Sequence, residues 1–515
     1  MLHFVLNLSV IPSALLSREK GKVQDLTEVD LLILMDPGAS TDFQEVKRLL
    51  WGNQVRDELF RRWSQGFNFS ADEPSALIQK DGGPCAIIAP VQAFLLRAIL
   101  DDKQVLQNNI WRSLTPERVD IYLRRALVAI LHQAATADEN PPANSPSSSQ
   151  SLKLQMLQQP QQQQSEQTSP AQPSPRPSST PQYCLVFLSE PLVHRITSEP
   201  ETENPIVDPS RKIQRSEQEI FHRNLRLLRL ESIVQVENIL REKLEALKGP
   251  YGIMQFLYSV ILTRGIDRIS NEMSEANELI DPVHGHGSQS LINLMLTGRG
   301  VSYVWDYEQD VGGLKLKGIE QQGEVGFLTL LERLRYCEVG SFLKNPKFPV
   351  WVVGSETHLT VLFSTNMDLV CPETPGETAR RVFSSFDPEG NNFISSVLLE
   401  DVMRTLGLYA DPEYVELMKK RLDPETLGII LMNTFMDEFF PNEKSSGPIT
   451  FTLYHYNGLQ RASSTEKVIY QEGNAILLES DLRSLSDDNM ILTCLQTKWP
   501  SIDVQWQSGL IPSIN

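Results

Sequence analysis

The 515-residue chain carries 47 Lys plus Arg against 65 Asp plus Glu, a formal charge of −18. That acidity argues against a general binder of nucleic acid or of an acidic membrane surface. Its five cysteines, Cys85, Cys184, Cys337, Cys371 and Cys494, are odd in number, scattered and free of any CxxC pair. They exclude a disulfide framework and point to a reducing, intracellular compartment, the nucleus, the cytoplasm or both.

Residues 1–36 read as a variable N-terminal extension. Met1–Leu16, MLHFVLNLSVIPSALL, resembles the apolar core of a secretory signal, but it lacks a basic start and Pro12 interrupts it. No later stretch reaches the roughly 18–20 uncharged apolar residues of a membrane span. Residues 37–136 form the first part of the main domain. In the segment Phe43–Gly66 the apolar residues Val46, Leu49, Leu50, Trp51, Val55, Leu59, Phe60 and Trp63 recur at helical spacing and predict a helix.

The octapeptide Gln79-Lys-Asp-Gly-Gly-Pro-Cys85-Ala carries the most chemistry. Glycines let a backbone approach a scissile carbonyl closely, and Pro84 presets a first helical turn. Cys85 then opens a helix, where unpaired N–H groups and the dipole favour thiolate over thiol. The side-chain amide of Gln79 can donate to an oxyanion. The order is that of a papain-like thiol hydrolase. Residues 86–100, AIIAPVQAFLLRAIL, are apolar nearly all round, so this helix is expected to be buried, with Pro90 bending it mildly.

Composition changes sharply over 137–182, where PPANSPSSSQ, QQPQQQQSEQ and SPAQPSPRPSSTP cannot bury a core; a disordered insert is expected. Residues 183–371 form the second part of the main domain. YCLVFL from Tyr183 reads as a strand, 215–248 as one long amphipathic helix and Tyr251–Thr263 as a buried helix. In DPVHGHGSQSLINLMLTG, from Asp281, a Gly-rich loop leads into a Ser-started helix ended by Gly298. His284 and His286 have no carboxylate or cysteine at ligand spacing, so a metal is not expected. His284, Gly285, His286 and Gly287 read instead as a loop lining a substrate channel.

Phe348–Phe363, FPVWVVGSETHLTVLF, reads as two strands about a turn at 354–357. His358 opens the second strand and follows the cysteine in chain order, which makes it the candidate general base. An Asn or Asp on a neighbouring strand orients such a histidine. Asn457 and Asn366 both qualify, and Asn457 is preferred because it ends the strand expected to pair with that of His358.

Residues 372–442 change character. Asp387-Pro-Glu389-Gly-Asn391-Asn-Phe-Ile394 and Asp423-Pro-Glu425-Thr-Leu-Gly428-Ile-Ile430 each sit between helical segments. Oxygen residues at loop positions 1 and 3 with isoleucine at 8 outline a pair of EF-hands. The bidentate glutamates are replaced by Leu398 and Thr434, so the pair is expected to be structural and metal-free. Residues 443–515 return to short strands, with Asn457-Gly458 marking a hairpin-like turn.

Gln79-x5-Cys85, GSETHLTVLF around His358, DPVHGHGSQSLINLMLTG and LQTKWP together resemble the MINDY-family deubiquitinases, and within them the third-member branch with an EF-hand-like region. The resemblance spans about residues 40–515 apart from the insert. It implies an α+β, papain-like cysteine-protease-type catalytic domain with the EF-hand-like pair inserted between two strands of its sheet. It further implies a thiol isopeptidase acting on ubiquitin and preferring lysine-48-linked polyubiquitin chains. Cys85 becomes the nucleophile, His358 the proton acceptor and Gln79 the oxyanion donor, with no cofactor. A ubiquitin-binding scaffold without catalysis, a calcium-regulated adaptor and a thiol hydrolase of another substrate are the competing readings. Oligomeric state is not legible.

Overall fold

The structure, a computed structural model, describes residues 39–138, 182–189, 216–275, 277–370, 374–387, 391–441, 448–462, 465–478 and 489–515. The N-terminal extension, Cys371, Glu389 and nearly all of the Pro/Gln/Ser-rich insert lie outside the described residues. The fold is α+β. Its largest sheet has six strands in the order Ile502–Trp506, Gln471–Leu477, Thr450–Tyr456, Leu359–Phe363, Val350–Gly354 and Gly326–Thr329. All neighbours are antiparallel except the last two strands, which run parallel.

Alternation along these strands builds two cores, one on each face. Val350, Val352, Leu359, Val361 and Phe363 enter the larger core with the helices. Trp351, Val353, Leu362, Phe451 and Leu453 turn the other way, into a smaller core shared with Ile491, Leu495, Trp506 and Ile514. The Cys85–Leu100 helix is buried at every residue but Arg97. It packs between the Val350–Gly354 and Leu359–Phe363 strands and the helices Pro116–Thr136 and Gln289–Thr297. Pro90 lies inside it without ending it.

Several expected elements are corrected. The helix expected over Phe43–Gly66 is two helices, Ala39–Trp51 and Asp57–Trp63, because Gly52 takes a left-handed φ of 69° at the break. The long helix expected over 215–248 is Glu217–Asn224, a strand Leu225–Leu230 and Ile233–Lys248. The strand wins because Tyr183–Leu188 is buried throughout and its backbone groups need a partner, which LRLLRL supplies residue for residue. On the other edge of Tyr183–Leu188, three backbone N–H groups are met by side chains of the Gly252–Arg264 helix. Cys184 donates to Thr263 Oγ1 at 3.0 Å, Val186 to Ser259 Oγ at 2.8 Å and Leu188 to Gln255 Oε1 at 3.0 Å. These acceptors recur every four residues, on one helix face.

Toward the end of the chain, where short strands are expected, residues 467–478 hold one strand, Gln471–Leu477, and of the extended stretch expected from Cys494 onward, Cys494–Leu495 close the helix Met490–Leu495 and Ile502–Trp506 is the strand. Asn457-Gly458 is not a tight hairpin. The strands Thr450–Tyr456 and Gln471–Leu477 do pair, but through a long connection over 457–470. Between Phe363 and Thr450, which belong to adjacent strands of the sheet, the chain forms a separate unit. Helices Pro375–Ser385, Leu399–Thr405, Pro412–Leu422 and Met432–Phe439 surround their own core of Phe383, Ile394, Val402, Met418, Ile430 and Phe435. Val397 is exposed, outside this core. Two loops of this unit pair through Phe393–Ser395 and Ile429–Leu431, with Ile394 opposite Ile430.

Candidate active site

Cys85 stands first in its helix, directly after Pro84. Gly83 has φ 131°, and a Cβ there would lie 2.9 Å from Trp63 Nε1 and 3.3 Å from Gly285 O. Only glycine therefore lets the chain squeeze past Trp63 into the helix. The thiol points to Gly83 O at 3.8 Å. The residue is only 4% exposed. Burial pushes the thiol up to about 11, against the lowering effect of backbone N–H groups from Leu359, Ala86 and Cys85 itself. The thiolate expected from a helix N-terminus is thus outweighed by desolvation in the substrate-free protein.

The Leu359 N–H facing the sulfur places the start of the histidine strand at Cys85. His358 itself is buried, 6% exposed. Its Nε2 lies 2.9 Å from Asn457 O and 3.2 Å from Asn457 Oδ1. Both partners are acceptors, so Nε2 carries the proton and Nδ1 is left with its lone pair. Burial lowers the imidazole below its ordinary value, while the bonds to Asn457 work the other way. Asn457 is brought here because Thr450–Tyr456 pairs with Leu359–Phe363, Tyr456 opposite Val361. Asn366, the other candidate, spends its Oδ1 on its own loop, accepting from Asp368 N at 2.9 Å.

Gln79 joins the same cluster through its backbone. Its N–H donates to Gly458 O at 2.9 Å, and it bridges to Leu459. Its side-chain Nε2 donates to Asp81 O at 2.9 Å, which leaves one of two amide hydrogens for another acceptor. Gln65 holds the same loop, accepting from Lys80 N at 2.8 Å. Gln92, on the Cys85 helix and fully buried, fixes the approach to Gln79. Its Oε1 accepts from Leu77 N at 2.8 Å, and its Nε2 donates to Ser75 O and Tyr470 Oη, both at 3.0 Å. Gln92 stood out in the sequence only as a polar interruption of an apolar helix.

The 284–287 loop lies against the Cys85 helix. A Cβ on Gly287 would approach Ala86 Cβ to 2.4 Å, and Trp63 Nε1 donates to Gly285 O at 3.0 Å. Asp281 Oδ1 lies 3.2 Å from His284 Nδ1, so a carboxylate does reach this loop, contrary to the sequence reading. Among the described residues no cluster of three or more His, Cys, Asp or Glu could hold a metal. His286 and His358 share an open groove of about 490 Å³ with Arg62, Gly82, Thr357 and Arg461. Burial, with His284 and Arg62 nearby, lowers the His286 imidazole. Next to the site, His455 is fully enclosed and its imidazole is driven down to about 3 by desolvation, so it stays neutral. The two arginines and His455 had no motif to announce them.

A thiol, a neutral imidazole with a free Nδ1, an amide anchoring the opposite nitrogen and a donor glutamine make a set competent for acyl transfer through sulfur. Comparison with known proteins gives a family. Residues 47–380 match the profile described as "Deubiquitinating enzyme MINDY-3/4, conserved domain". The chain is 46% identical over 486 residues to "Ubiquitin carboxyl-terminal hydrolase MINDY-3 homolog" of Drosophila melanogaster, covering 92% of this chain and 83% of that one. It is 45% identical over 478 residues to "Ubiquitin carboxyl-terminal hydrolase MINDY-3" of Homo sapiens, and 44% over 487 residues to the same-named protein of Xenopus tropicalis, each at 92% of this chain and 99% of the relative. No solved structure matches. Among the described residues no helix is long and apolar enough to cross a membrane.

Proposed function

We propose a reaction that follows from one premise: the chain belongs to the MINDY-3/4 family of deubiquitinating enzymes. Its activity is that of a deubiquitinase, and the substrate we assign is the isopeptide bond of ubiquitin chains, lysine-48-linked chains being preferred. Cys85 is the nucleophile. His358 Nδ1 takes the thiol proton as the sulfur attacks the carbonyl carbon of ubiquitin's C-terminal glycine. Gln79 Nε2 and the Cys85 N–H receive the oxyanion. Collapse breaks the C–N bond, and His358 passes its proton to the departing lysine amine. Water, deprotonated by the same Nδ1, then attacks the thioester, and the thiol and ubiquitin's carboxylate are released. Asn457 keeps Nε2 protonated and the ring in place.

The observation that carries this reading is the commitment of His358 Nε2 to Asn457, at the strand end where Leu359 N–H meets the Cys85 sulfur. The 284–287 loop, packed on Ala86, is read as one wall of the groove that admits Gly-Gly. We read the 374–441 unit as a degenerate EF-hand-like pair. In support, Asp387 accepts from Asn391 N and Asn392 N at 3.1 and 2.7 Å. Asp423 likewise accepts from Leu427 N and Gly428 N at 2.9 and 2.7 Å. The deciding experiment exposes the protein and its Cys85→Ala variant to a panel of linkage-defined diubiquitins and to a ubiquitin probe with a C-terminal electrophile. Cleavage led by the lysine-48 linkage, with labelling at Cys85, is expected. Equal cleavage by Cys85→Ala would remove the assignment.

A further inference from the structure

Asn457 is itself held on both sides of its amide: Oδ1 accepts from Leu459 N at 3.2 Å, and Nδ2 is held by the segment 513–515. The Asn457 Nδ2 donates to Ser513 O at 2.8 Å and to the Asn515 main-chain oxygen at 3.4 Å. With Nδ2 spent there, the amide can present only Oδ1 to His358. The segment is a closed turn, since Ser513 Oγ donates to the Asn515 oxygen at 2.8 Å and accepts from Asn515 N at 3.1 Å. Its side chains reach both sides of the site. Asn515 Oδ1 accepts from Thr357 Oγ1 at 3.4 Å, one residue before His358, and Asn515 Nδ2 lies 3.9 Å from Met490 Sδ. Between them Ile514 is 1% exposed and packs in the smaller core with Trp506 and Leu495. Ser513 and Asn515 also line the groove that contains His358.

We propose that residues 513–515 are a positioning clamp for catalysis: Ile514 seats the turn in the core, and the turn's carbonyl groups fix the Asn457 amide that orients His358. This rests on the reading of Asn457 as the orienting group. Without the turn only Leu459 N–H opposes rotation of the Asn457 amide; turned over, Nδ2 faces His358 Nε2–H, two donors meet, and Nε2 keeps the Asn457 main-chain oxygen as its one acceptor. The imidazole then turns on that single bond, and the Nδ1 lone pair loses its aim at the thiol. Leu510 and Ile511 are exposed, while Pro512 and Ile514 are buried, so the stretch is anchored at its last residues, with Ile514 the anchor inside the turn.

The test uses the full chain and initial rates on lysine-48-linked diubiquitin. Ile514→Asp, which expels the turn from the core, should lower kcat by about ten- to a hundredfold, the scale of a displaced catalytic group, with KM little changed. Ile514→Val should keep wild-type kcat. Asn457→Ala should lose as much as Ile514→Asp, and the two together should lose no more than either. Should Ile514→Asp not fold, as judged by its melting curve, deletion of 513–515 takes its place without burying a charge. Multiplicative losses, a change confined to KM, or an undiminished kcat in the unseated variant beside a damaged Asn457→Ala would overturn the clamp alone. A wild-type kcat for Asn457→Ala would overturn the orienting reading beneath it.

Discussion

Cys85 gives the sharpest prediction, because a thiol hydrolase can rest in either of two states. One holds a thiolate–imidazolium pair before substrate arrives. The other holds a neutral thiol and a neutral imidazole and moves the proton only on attack. Burial raises the Cys85 thiol from its ordinary value of 9.0 to about 11 and lowers His358. Two units correspond to about 2.7 kcal/mol favouring the neutral thiol, or roughly a hundredfold less thiolate at neutral pH than an unperturbed cysteine holds. Both shifts act in the same direction, toward the neutral pair.

The assay is alkylation of the substrate-free protein by iodoacetamide, read at the Cys85 peptide by mass spectrometry across pH 6–10. Because the sulfur is nearly closed to solvent, absolute rates will be slow for two reasons, and the shape of the profile decides. The expected rate climbs about tenfold per pH unit with no plateau below pH 10. In denaturant the same peptide should level off near the ordinary thiol value. A plateau at or below neutral pH in the folded protein would refute the argument and establish the ion pair. The same shift has a stability consequence. A group whose folded value is raised contributes fully below its unfolded value of 9.0 and loses that contribution as pH rises through about 11. Cys85→Ala should therefore flatten part of the alkaline loss of stability.

Gln79→Ala should lower kcat by about 10²–10³ if its amide meets the oxyanion, and a loss seen in KM alone would assign it to binding. Gln92→Leu leaves Leu77 N–H and Ser75 O without the Gln92 bonds in a buried core, while Tyr470 Oη keeps Ser75 Oγ; at about 1–3 kcal/mol for each buried orphan, a loss of roughly 2 kcal/mol or more is expected in urea unfolding. Because burial depresses His358, the acid limb of kcat/KM should lie below the ordinary histidine value of about 6.5, and Asn457→Ala, which keeps the main-chain bond but removes the side-chain bond that opposes the depression, should move it lower still. Calcium in the micromolar range should give no heat in titration calorimetry, and a chelator should leave diubiquitin cleavage unchanged, since neither loop has a glutamate at its twelfth position.

What the sequence disclosed follows from which signals are local. The Cys85 helix, the Gly298 stop and the strands flanking 354–357 depend on neighbours a few residues away, and these formed where expected. Asn457 was legible as the end of the strand expected to pair with that of His358, although the hairpin expected after it is a long connection. Leu225–Leu230 was misread because its Leu/Arg spacing suits a helix as well as a strand; the choice was made by Tyr183–Leu188, across a long intervening stretch. Gln92, Ser513 and Asn515 are further from reach. Their roles consist of hydrogen bonds to residues up to 378 positions away, and no local side-chain pattern encodes those.

The position of the 374–441 unit follows from strand direction. Leu359–Phe363 leaves His358 at its start, and Thr450–Tyr456 carries Asn457 just past its end. The strands are antiparallel, so His358 and Asn457 share one end of the pair. The chain departs toward the unit after Phe363 and returns before Thr450, at the opposite end. Five residues of strand at about 3.3 Å each separate that end from the chemistry by roughly 16 Å. A unit attached there can leave the His358–Asn457 register untouched while it folds around its own core of Phe383, Ile394 and Phe435. The direct route from the unit to the site runs through the pairing of Tyr454 with Phe363 and Tyr456 with Val361, and Trp111 and Tyr470 pack against Phe363 and Tyr454 there. Such an aromatic cluster stiffens the pair. The geometry therefore favours a unit that is carried by the catalytic sheet over one that drives it.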